Sequence, residues 1–156
     1  MASGGKVDIG DLKNFRKNLE NTLGEKHIDA FIESCAKELA ARLLAKVIKR
    51  TPVGQYPKGS GKVGGTLRRG WTAGKSQAAN AYANNLKVHH FGDVYVIEII
   101  NPVEYAPYVE FGHRTRGGQG WVEGKFMLTI SEQEIEADAP RILENKLKKK
   151  LGECFK

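Results

Sequence analysis

The sequence predicts an α+β domain, an antiparallel sheet of three to four strands packed against a long N-terminal helix and a C-terminal helix. Three observations carry this. From Lys26 to Arg50 apolar residues recur every three or four positions, as on one face of a helix. Leu86–Phe91 and Val94–Ile100 are two strand-like runs separated by the turn pair Gly92-Asp93. From Phe126 to Leu151 the helical period returns.

Taken in order, residues 1–8 are small and polar and predict a disordered arm. A short helix is expected over Ile9–Leu23, because Leu12, Phe15, Leu19 and Leu23 share one face. The long helix follows, with Ile28, Phe31, Ile32, Cys35, Leu39, Leu43, Val47 and Ile48 inward and alanines between them. Its length is roughly 37 Å at ~1.5 Å per residue. Lys37, Arg42, Lys46 and Lys49 lie on its other face, read as solvated. Pro52 ends it by disfavouring helical geometry at Thr51.

Residues 53–65 predict a mobile glycine-rich loop that orders only against a partner. Gly59, Gly61 and Gly64 form a literal G-x-G-x-x-G. That motif binds a dinucleotide only when it follows a strand and opens a helix, and here it follows a helix. Thr66–Thr72 reads as a first strand, and a helix is expected around Gln77–Ala83. Gly92 at the first turn position suits a type II′ hairpin. Gly120–Gly124 is a short strand or bend. In the last helix, Pro140 either kinks one helix or follows Asp138 as the cap of a new one. Its acidic residues come first and its lysines last, which complements the helix dipole.

The chain of 156 residues is one domain, with 40% hydrophobic residues and a net charge of +7. That charge permits contact with phosphate or an acidic protein surface without requiring either. Cys35 and Cys154 have no metal-type spacing and read as reduced thiols. No apolar run reaches the roughly 18 residues of a membrane span, and Met1–Gly10 lacks a secretory pattern, so a soluble, membrane-free protein made in the cytoplasm is expected.

Catalytic chemistry is sparse. His89 and His90 are adjacent on a strand and point to opposite faces, so they do not form one metal site. Glu104, Glu110 and His113 are the candidates for acid–base work, but carboxylates beside arginines and aromatics are more often structural ion pairs. Arg68-Arg69 is the natural partner for Glu110. Neither enzyme activity nor a cofactor is expected.

The segment Asn101–Arg116 is the densest in aromatics, with Tyr105, Tyr108 and Phe111 between two prolines and a basic, glycine-rich run. Such a segment plugs a core edge or faces a partner. Together with Thr51-Pro52-Val53, Gly65-Thr66-Leu67-Arg68-Arg69-Gly70-Trp71 and Phe126-Met127-Leu128, it resembles the small tail-completion or head–tail joining proteins of tailed bacteriophages and prophages. That family is named after the tenth gene product of a lambdoid phage. The resemblance covers roughly residues 30–150, and the stretches after Gly112 look most like the contractile-tail branch. The loop over 54–65 is longer than the family's usual gap.

The resemblance implies a non-enzymatic virion protein of the tail and neck. It would form a ring of six subunits at the head-proximal end of the tail. Its partners would be its own copies and neighbouring tail-terminator, tail-tube or head-connector proteins, with non-specific contact to DNA in the channel. The residues expected to carry assembly are Arg68, Arg69, Trp71, Tyr105, Tyr108, Glu110, Phe111, His113, Arg114 and Arg116. The alternative is a basic nucleic-acid-binding protein, supported by the net charge, Lys148–Lys150 and the Arg114/Arg116 loop. It lacks the interleaved aromatic and basic pattern of a base-stacking platform.

Overall fold

The computed structural model describes residues 3–8, 16–17 and 24–154. The elements run β1 Ser3–Asp8, α1 Glu25–Arg50, α2 Thr66–Gly70, α3 Ala79–Asn84, β2 His89–Phe91, β3 Val94–Asn101, α4 Ala106–Phe111, β4 Gly112–Arg114, β5 Trp121–Glu123 and α5 Met127–Cys154. The fold is α+β, as the sequence predicts. One antiparallel sheet has the order β1-β3-β2, and β4-β5 form a separate ribbon.

Helix α1 is the spine. Ile28, Phe31, Ile32, Cys35, Leu39, Leu43, Leu44 and Val47 are buried, a stripe wide enough to be covered from more than one side. It packs on α3, α5 and β3. Strand β3 alternates, with Tyr95, Ile97, Ile99 and Asn101 buried and Val94, Glu98 and Ile100 exposed. Helices α1 and α5 run antiparallel. Lys46 and Arg50 near the end of α1 hold Glu134 at 2.8 and 2.7 Å, while Glu38 at its middle holds Lys146 at 2.8 Å. Hydrogen bonds from Lys46 and then Arg50 keep the Glu134 carboxyl below its ordinary range.

Several expectations are corrected. The arm expected to be disordered runs as β1, in register with β3 from Ser3–Asn101 to Asp8–Val96. The predicted helix Ile9–Leu23 lies outside the described residues, apart from residues 16–17, which are helical. Thr66–Thr72 is not a strand. Leu67, Gly70 and Trp71 are buried at helical spacing, and α2 occupies Thr66–Gly70. Gly70 cannot carry a side chain, since a Cβ there would overlap Asn101 Oδ1. Of the two alternatives at Pro140, a new helix capped by Asp138 is not found, and α5 runs through Pro140 as one helix.

The hairpin and the α3 region match expectation. Phe91 pairs with Val94 across the two-residue turn, and Gly92 takes φ 62° while Asp93 stays out of the left-handed region, as a type II′ turn requires. The loop between α1 and α2 forms no helix or strand. Its ends close on each other, because Gly64 sits where a Cβ would overlap the Gly54 carbonyl. Lys62 lies 5.8 Å from the Tyr56 ring centre.

Candidate assembly surface

The two motif blocks around Thr51 and Trp71 meet inside the molecule. Arg68 donates through Nε and Nη2 to the Thr51 carbonyl at 3.2 and 2.7 Å, placing a cation on the C-terminus of α1. Trp71 is fully buried, and its Nε1 donates to Thr51 Oγ1 at 2.8 Å. That hydroxyl in turn donates to the Val47 carbonyl at 2.6 Å. Arg69 donates to the Gly64 carbonyl at 3.3 Å and steadies the end of the loop. These residues secure α2 against α1, so Trp71 is a core residue and not a contact offered to a partner.

Glu110 is also internal, 1% exposed. Its partner is not the Arg68-Arg69 pair. Oε2 accepts the Leu128 N–H at 2.9 Å, and Oε1 accepts the Thr129 N–H at 2.9 Å and the Thr129 hydroxyl at 2.7 Å. A carboxylate from α4 therefore caps the first turn of α5, satisfying orphan donors and opposing the positive end of the dipole. Two backbone bonds reinforce the junction, Lys125 N to Val109 O at 2.7 Å and Phe126 N to Glu110 O at 3.0 Å. Phe126 takes φ 46° to make this entry. The nearby Glu132 carboxyl is pushed up by burial and then by the charges of Glu110 and Glu136, and its Oε1 has no hydrogen-bond partner.

The short helix α4 has two faces. Ala106, Val109 and Glu110 turn inward. Tyr105, Tyr108 and Phe111, three residues apart, form the outer face and are 45%, 58% and 59% exposed. Pro107 is accommodated because it lies at the helix start. The ribbon then brings Trp121 and Val122 alongside, paired with Arg114 and His113. Gly112, at φ 84°, allows the crossing, since a Cβ would overlap the Val122 carbonyl. Tyr108 meets His113 edge-on at 5.9 Å, and Phe111 meets Phe126 at 6.4 Å. Arg114 and Arg116 are exposed on the ribbon.

Of the ten expected assembly residues, the structure groups Tyr105, Tyr108, Phe111 and His113 on one surface, while Arg114 and Arg116 are exposed on the ribbon, Arg114 on the face opposite His113. It assigns Trp71 and Glu110 to the interior and Arg68 and Arg69 to α2. Val122, opposite His113, and Phe126, against Phe111, join the surface although sequence reasoning passed over them, and the exposed Trp121 lies beside Arg114 on the other face of the ribbon. The ribbon that places them depends on Gly112 and Gly124, two glycines where the backbones nearly touch.

Large rigid aromatics are exposed together on short elements tied to the core, and such side chains are enriched where proteins meet other surfaces. Among the described residues no three or more potential metal ligands cluster, and no helix is long and apolar enough to cross a membrane. The family model described as "Bacteriophage HK97-gp10, putative tail-component" matches residues 13–112, so the chain belongs to that family of phage tail components. The match includes both motif blocks and ends at the start of the ribbon. No curated protein and no solved structure matches the chain.

Proposed function

We propose that this tail component is a non-enzymatic subunit of a ring at the head-proximal end of the tail, where it completes the tail or joins it to the head. The observation that carries the reading is the exposed aromatic face of α4 and the chain next to it, Tyr105, Tyr108, Phe111 and Phe126, with Val122 of the ribbon on the His113 side. A face of this kind buries well against a complementary surface and little else in the protein explains it. Family membership supports a virion location and contact with other virion proteins. The six-subunit ring, the contractile-tail assignment and contact with DNA in the channel come from the resemblance.

In a ring each copy presents two different surfaces, and the contact closes by rotation. The aromatic face is one of the two. The loop over 54–65, with Tyr56 and Val63 exposed beside Tyr105, extends the same side. Electron microscopy of lysates with and without the gene tests the role. Filled heads and unjoined or incomplete tails are expected on its loss. Normal infectious particles would overturn it, and affinity for duplex DNA that falls steeply with salt would then favour the nucleic-acid reading.

A further inference from the structure

Among the described residues two strands have uncovered edges. The main sheet ends at β2, and no backbone bond reaches His89, His90 or Phe91 from beyond β3. Phe91 is 65% exposed, and Val94 opposite it is exposed as well. His89 stacks on the Phe91 ring at 6.3 Å. The second edge belongs to the ribbon. It rests on α4 through β4, which leaves β5 outermost, with Trp121, Val122 and Glu123 all exposed. No cation among the described residues pairs with Glu123. A two-stranded ribbon is marginal by itself, and proteins cover free strand edges or blunt them with lysine or proline. Neither β2 nor β5 carries a lysine or a proline.

We propose that β5 of one copy adds to the free edge of β2 in the next copy, so that ribbon and sheet continue as one sheet between subunits. This contact presupposes that the protein is a ring subunit, as proposed above, and supplies the two surfaces that meet. A ring contact joins two different patches of the same chain. A protruding strand and a free edge are such a pair, and β2 and β5 are each three residues long. Side chains choose the register. In an antiparallel pairing Trp121 lies opposite Phe91, Val122 opposite His90 and Glu123 opposite His89. Aromatic then meets aromatic and carboxylate meets imidazole, pairs that stabilise neighbouring strands. A parallel pairing would set Glu123 against Phe91. The edge of β1, Ser-Gly-Gly-Lys-Val-Asp, offers Trp121 no aromatic. Alternation puts Val122 on the side of His90, which meets Glu33 of α1 at 3.0 Å. Val122 shares the His113 side of the ribbon with the aromatic face of α4. The pairing therefore turns that face toward α1 of the neighbour.

Disulfide trapping in assembled particles tests the pairing. A gene-deleted phage is complemented with Phe91→Cys, Trp121→Cys in a Cys154→Ser background, where the remaining Cys35 is buried. Opposed residues on adjacent strands lie about 4.5–5.5 Å apart, within disulfide reach. Mild oxidation should give reducible multimers on a non-reducing gel, and neither single variant should give them. Glu98→Cys, Trp121→Cys should stay monomeric, because the exposed Glu98 lies on β3, one strand further in. Glutaraldehyde on unsubstituted particles reads the ring separately. Glutaraldehyde multimers without the disulfide would overturn the strand pairing and leave the ring standing. Monomers under both reagents would overturn both. If the double variant does not enter particles, hydrogen exchange of the unsubstituted protein decides, free against assembled in purified tails. The amides of β2 and β5 should exchange at least about tenfold more slowly in tails. Unchanged exchange at either strand would overturn the pairing, and protection of β2 alone would assign its edge to another virion protein.

Discussion

Replacing Glu110 by glutamine isolates the contact that ties α4 to α5. The carboxylate is buried and accepts three hydrogen bonds, from Leu128 N, Thr129 N and Thr129 Oγ1. Glutamine has nearly the same shape but one oxygen. With that oxygen on Thr129, its amide nitrogen faces the Leu128 N–H, donor against donor. A charge-assisted bond is lost and a buried N–H is left unpaired, about 1.5–3 kcal/mol. Loss of the negative charge at the α5 N-terminus adds about 0.5–2 kcal/mol. The two together cost about 2–5 kcal/mol, which lowers Tm by about 5–20 °C in a chain of this size. Urea unfolding followed by circular dichroism and tryptophan fluorescence measures it, with an unchanged slope confirming that stability alone has moved. Glu104→Gln is the control, an exposed carboxylate in the same segment that should stay within about 0.5 kcal/mol. If Glu110→Gln also stays within about 0.5 kcal/mol, the cap does not hold the junction and the reasoning fails.

Thr51→Val keeps the volume but leaves the buried Trp71 N–H without an acceptor, and should cost about 1–3 kcal/mol in the same unfolding assay. Burial pushes the Cys35 thiol up to about 12, so at pH 8 only about one molecule in 10,000 carries the thiolate. In a Cys154→Ser background, iodoacetamide should therefore label the folded protein very slowly and the urea-unfolded protein fast. The Glu132 carboxyl is raised above its ordinary 4.5 in the folded state. The raised value favours folding when the group is protonated, and that contribution is lost as pH rises through the folded value. Glu132→Gln should thus be more stable than the parent at pH 7 and lose that advantage near pH 4, as paired melting curves would show.

Much of the fold is legible in the sequence, and the reason differs by element. Helix α1 and the His89–Asn101 hairpin announce themselves by periodicity and turn chemistry, both local signals. Helix α2 is misread because five glycines precede or sit near it and hide the helical spacing of Leu67, Gly70 and Trp71. The same aromatic and charged residues that mark interfaces also serve interiors. Trp71 is spent on Thr51, and Glu110 on a helix that begins 17 residues later. Neither pairing leaves a trace in local pattern, since each joins elements far apart in the chain. The aromatic face is half legible. Tyr105, Tyr108 and Phe111 share a face once α4 is known to be a helix, but two prolines argue against one until Pro107 is seen to lie at its start. Val122 and Phe126 reach the face through the near-contact of Gly112 and Gly124 with the opposite backbone.

If the face of α4 is an assembly surface, removing its aromatics should disable the particle and spare the fold. The most direct measurement is complementation of a gene-deleted phage with the double variant Tyr108→Ser, Phe111→Ser, after its far-UV circular dichroism and Tm are shown to match the parent. Both side chains are exposed, so the fold should persist. The expected result is a stable, soluble variant that leaves heads and tails unjoined or tails incomplete, with infectious titre reduced by orders of magnitude. Normal particles and normal titre from the same folded variant would contradict it.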